Sequence, residues 1–73
     1  MDSRLETVFK TTLGLDAVSA ELSQTNCEAW DSVNHLNLVL ALEAEFGVMF
    51  EPDEIAAMQS LTAVEKILAG KAA

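Results

Sequence analysis

The chain has 73 residues, about half of them apolar. That suits a single domain, residues 1–73, whose small core needs every apolar helix face. The formal net charge is -8, and the only basic side chains, Arg4, Lys10, Lys66 and Lys71, lie near the ends; such a surface repels phosphate backbones and anionic lipid, so neither nucleic acid nor a membrane is an expected partner, and basic patches on proteins are.

The first predicted helix runs from about Arg4 to Leu13. Ser3 and Glu6 have capping-box spacing, and Leu5, Val8, Phe9 and Leu13 make one apolar stripe. Gly14 suits the helix end. A long connection follows, from Gly14 to Asp31, and connections of this length are usually functional or disordered. Leu15, Val18, Leu22 and Trp30 supply enough apolar anchors for an ordered but irregular path over a bundle. Cys27 lies within it. A lone cysteine forms no internal disulfide, and one His with one Cys cannot make the usual structural zinc sets, so no metal and a reduced, cytoplasmic setting are expected.

The second predicted helix runs from Ser32 to about Phe46, with Asp31 or Ser32 as its cap. His35, Leu38, Val39, Leu42 and Phe46 form a core stripe at helical spacing. Val33, Leu36 and Leu40 lie on another side, so this helix either buries two faces or offers one to a partner. Gly47 closes it. Pro52 suits the first turn of a short third helix, from Asp53 to about Met58. A fourth runs from Thr62 to about Ala69, with Thr62 and Glu65 at capping-box spacing and Gly70 at its end. No apolar run is long enough to span a bilayer, and the N-terminus lacks the apolar segment of a signal peptide. The expected fold class is all-α: a small four-helix bundle, three main helices and one short, with a long loop between helices one and two.

As residue types alone, Asp31 and Ser32 are ordinary helix-start residues. In context, the stretch Trp30-Asp31-Ser32-Val33-Asn34-His35-Leu36 resembles the Asp-Ser-Leu attachment motif of the acyl carrier protein family. The likeness continues through Leu38 to Gly47, then Glu54-Ile55, Met58, Ser60-Leu61 and Val64 through Leu68. It covers most of the chain in the expected order. The resemblance implies that Ser32 receives 4′-phosphopantetheine from coenzyme A as a phosphodiester, with Asp31 guiding the phosphopantetheinyl transferase. Acyl groups then ride on the arm as thioesters, and the chain performs no catalysis of its own. Val33, Leu36 and Leu40 match an exposed recognition strip. Asn37, Glu43, Glu45, Glu51, Asp53 and Glu54 match the polar and acidic surface that meets the basic patches of acyl-loading and acyl-processing enzymes. A free-standing cytoplasmic monomer is expected, with Met1 pointing to the free-standing form.

The departures are informative. Val33 replaces the family's usual leucine, Asn34 and Asn37 stand where fatty-acid carriers usually have acids, and Ala44 interrupts an acidic run. They point towards polyketide assembly or another specialised acyl transfer as much as towards fatty-acid synthesis. Two other readings stand beside this one. A carrier-fold interaction module without a prosthetic group would use the same second-helix strip. A Ser32–His35 hydrolase is disfavoured because His35 falls on the core stripe and no oxyanion hole is evident.

Overall fold

The computed structural model describes residues 3–72. The fold is all-α, four helices in the order α1 (Ser3–Leu13), α2 (Ser32–Phe46), α3 (Pro52–Ala57) and α4 (Leu61–Ala72). A long ordered connection spans residues 14–31. Among the described residues the one β-type pairing is an isolated antiparallel bridge between Ser23 and Ser60.

The apolar stripes bury as their spacing requires. Leu5, Val8, Phe9 and Leu13 of α1 meet Leu38, Val39 and Leu42 of α2, with Met58, Leu61 and Val64 completing the centre. Trp30 plugs the join between connection and bundle, its ring edge-on to Phe9 with centroids 5.4 Å apart, a favoured aromatic geometry. Leu22 is buried with it, and Leu15 and Val18 pack against the same core at lower burial. The connection is also sewn down by backbone: the Gln24 amide donates to Gln59 O at 3.0 Å and the Leu61 amide to Leu22 O at 2.9 Å. Within it, Asn26 accepts from the Ser23 amide and donates to Glu21 O, so its polar groups find partners without regular structure.

The helix ends differ from expectation in three places. Glu6 reaches forward to Lys10, 3.0 Å away, an i,i+4 pairing that competes with the expected return to Ser3; Ser3 itself lies within α1, its carbonyl accepting from the Thr7 hydroxyl. The fourth helix starts earlier, because Ser60 supplies the cap: its Oγ accepts from the Ala63 amide and its carbonyl from Val64. Gly70 does not end that helix but lies inside it, whereas Gly14 and Gly47 adopt the left-handed conformation, φ 66° and 64°, of glycines that close helices.

Two cations, both beside one cleft, tie helices together at one end of the bundle. Arg4 of α1 lies over the Phe46 ring of α2, 4.7 Å from its centroid. Lys71 of α4 pairs with Glu54 of α3 at 2.8 Å. Glu54 also accepts from the Glu51 amide at 2.8 Å and so completes the first turn of α3.

Candidate site at the start of helix two

Which residue caps α2 decides what the neighbouring one is free to do. The cap is Asp31. Its backbone is extended, and its Oδ1 accepts from the Asn34 amide at 2.8 Å, while its carbonyl accepts from His35. Ser32 is therefore the first residue inside the helix. Its side chain is exposed, and no hydrogen bond among the described residues engages its hydroxyl. The amides of Asn34 and His35 are taken by Asp31. Those of Ser32 and Val33 come before the first helical bond, where they and the helix dipole favour negative charge.

The residues behind Ser32 hold this start in place. Trp30 Nε1 donates to His35 Nδ1 at 3.0 Å, and the two rings stack with centroids 6.2 Å apart. On its other side His35 Nε2 lies 2.8 Å from Ile55 O. A carbonyl only accepts and an indole N–H only donates, so the imidazole carries its proton on Nε2 and a lone pair on Nδ1. Both ring nitrogens are thus engaged by the connection and by α3, and neither is free to serve Ser32 as a base. Asn34 Nδ2 donates to Ala29 O at 2.8 Å. These ties join the connection, α2 and α3 directly below Ser32.

The remaining candidate residues divide by what they touch. Val33, Leu36 and Leu40 are 69%, 58% and 64% exposed, so the strip on α2 faces solvent rather than the connection. Asn37 is exposed beside them and donates to Asn34 Oδ1. Glu43 is half-buried, its Oε2 accepting from the Phe50 amide at 3.0 Å, so it organises the turn after α2. Glu54 is likewise committed to Glu51 and Lys71; the Glu51 backbone hydrogen bond, and then Lys71, hold its carboxyl below the ordinary value of 4.5. Glu45, Glu51 and Asp53 are the exposed acids of the set. The structural service of Asn34, Glu43 and Glu54 was not legible in the pattern, since each bond runs to a backbone group whose position depends on the fold.

A cleft of about 530 Å³ lies at the other end of α2, between Arg4, Phe46, Val48, Leu68 and Lys71. Among the described residues no group of His, Cys, Asp and Glu is arranged to hold a metal, and no helix is long and apolar enough to cross a membrane. Set against protein-family models and against the curated proteins, the chain matches none.

Proposed function

We propose that this chain is an acyl carrier protein, holding its cargo on a 4′-phosphopantetheine arm joined to Ser32 Oγ. The observation that supports it most is the division of labour at the start of α2. Asp31 does the capping, which leaves Ser32 exposed and uncommitted on the first turn. A plain N-cap serine would have turned its hydroxyl back onto the helix.

The residues suit the group. A phosphodiester on Ser32 would lie beside the leading amides of α2 and the positive end of its dipole. The adjacent like charge, Asp31, is turned to the Asn34 amide. When bound, the group supplies a terminal thiol that carries acyl chains as thioesters. The chain's own part is to present that serine on a rigid helix start, which Trp30, His35 and Asn34 hold against the connection and α3. It acts as a cytoplasmic monomer, and its partners are the phosphopantetheinyl transferase and the enzymes that load and process the acyl group.

The test is intact mass after incubation with coenzyme A, magnesium and a broad-specificity phosphopantetheinyl transferase. Wild type gains one phosphopantetheine and Ser32→Ala gains none. A well-folded wild type whose mass is that of the bare chain before and after incubation overturns the reading. It would leave the exposed face of α2 as the surface of an interaction module.

A further inference from the structure

The seam between α2 and α3 is bolted one turn below Ser32. His35 makes two bonds there that cross between elements. Its Nδ1 accepts from the Trp30 indole N–H at 3.0 Å, and its Nε2 donates to the Ile55 carbonyl at 2.8 Å. The same carbonyl accepts from the Met58 amide, which closes α3. One residue before His35, Asn34 Nδ2 donates to Ala29 O at 2.8 Å. Helix α2 is therefore fastened both to α3 and to the connection within a turn of the serine.

The space beneath is filled. Trp30 is 2% exposed, and Phe9, Leu38 and Met58 are wholly buried. The Trp30 ring stands edge-on to Phe9 and stacks against His35. An interior packed this closely has no slack, so an added hydrocarbon chain must push side chains out of place.

These bonds bear on what can hang from Ser32. An apolar chain tethered there is driven out of water in proportion to its length. The apolar interior nearest to it is the one under α2 and α3. To enter, the chain must part the two helices at His35. The buried Trp30 N–H then loses its acceptor, and an unmade bond in the interior is costly.

We infer that the cargo of this chain stays outside the bundle, excluded by the Trp30–His35–Ile55 joint. It belongs to the acyl groups that water tolerates: short ones, or longer ones bearing hydroxyl, oxo or carboxyl groups. The inference rests on the carrier reading and adds the class of cargo.

The test loads the protein with butyryl or octanoyl arms, from the corresponding acyl-coenzyme A with magnesium and the broad-specificity transferase. Neutral hydroxylamine then cleaves each thioester, and intact mass follows loss of the acyl group. The same thioesters on coenzyme A give the rates for chains wholly in water. A chain that spends its time buried is cleaved more slowly by the fraction buried. On wild type the ratio of octanoyl to butyryl rates should match that on coenzyme A within about twofold. Trp30 is the chain's one tryptophan, so its indole N–H gives a single nuclear magnetic resonance signal that reports the bond to His35. That signal should hold its position between the two forms. In His35→Ala both bonds are gone, and the octanoyl thioester should slow by about fivefold relative to the butyryl one.

An octanoyl thioester protected by more than about twofold on wild type overturns the inference, whether the chain lodges beneath α2 or in the cleft at its far end. So does a Trp30 signal that moves with chain length, or a folded His35→Ala protein that protects neither chain. Each of these leaves the carrier reading in place. The wild-type comparison stands alone if the variant does not fold. A wild type that gains no mass from coenzyme A itself removes both the carrier reading and the inference.

Discussion

The indole N–H of Trp30 donates to Nδ1 of His35, 3.0 Å away, while the other nitrogen of the same ring meets the carbonyl of Ile55 at 2.8 Å. One imidazole thus joins the end of the long connection to α3 across α2. His35→Phe would keep a ring in place and remove both bonds. Trp30 is almost fully buried, so its N–H would be left without a partner, and a loss of about 2 kcal/mol is expected. Urea unfolding measures it; an unchanged midpoint would mean that the ring acts by packing alone.

Asp31 and Ser32 should separate cleanly by mutation. Asp31→Ala removes the acceptor of the Asn34 amide and should cost about 1 kcal/mol. Ser32→Ala removes an exposed hydroxyl and should alter stability by less than about 0.5 kcal/mol. The same urea titration compares them. A serine variant as unstable as the aspartate variant would return Ser32 to the role of a cap.

Asn34→Asp keeps the side chain's shape, yet it should destabilise this chain. The amide now donates to Ala29 O, and a carboxylate has no proton to give. A loss of about 1–3 kcal/mol is expected at pH 7. Recovery of stability in acid, where the new carboxyl is protonated and can donate, would identify the cause in a series of melting temperatures.

Glu54 makes the chain sensitive to acid. Its carboxyl is held below its ordinary value by the Glu51 backbone hydrogen bond and by Lys71, so folding favours the ionised form. That stability is fully present above the ordinary carboxylate value and disappears as pH falls through the lower folded value. Wild type should therefore melt above Glu54→Gln near neutral pH, and the gap should close on acidification. A gap independent of pH would show that the side chain's shape matters rather than its charge.

Gly47 and Gly70 should respond in opposite directions to alanine. Neither has an atom within 4 Å of where a Cβ would stand, so space does not decide the outcome. Gly47 has φ 64°, where a side chain is strained, and Gly47→Ala should lose about 1 kcal/mol. Gly70 lies within α4, and Gly70→Ala should gain about 0.5 kcal/mol. Thermal melts of the pair check both signs.

Much of the fold was legible because it depends on spacing. The α1 stripe from Leu5 to Leu13, the extent of α2 and the buried Trp30 all follow from periodicity or from apolar anchors. The caps were less legible, because neighbouring candidates compete. Asp31 and Ser32 can each cap a helix, and only backbone conformation chooses between them. Ser60 displaced Thr62 at α4 because the Ser23–Ser60 bridge fixes where the chain turns. At the site, the exposure of Val33, Leu36 and Leu40 was open in the sequence, since an apolar residue carries no mark of which face will be covered.

The stitching of the connection to α4 also bears on how the chain folds. Most contacts in a helical bundle are local and form quickly. The bonds between Leu22 and Leu61 and between Gln24 and Gln59 instead close a loop of nearly forty residues that contains all of α2 and α3. Closing that loop becomes favourable once those helices have condensed. Bonds made last are the first to open, so the amides of Gln24 and Leu61 should exchange with solvent faster than those of the helix core. A segment with almost no regular structure then serves as the last fastening of the fold.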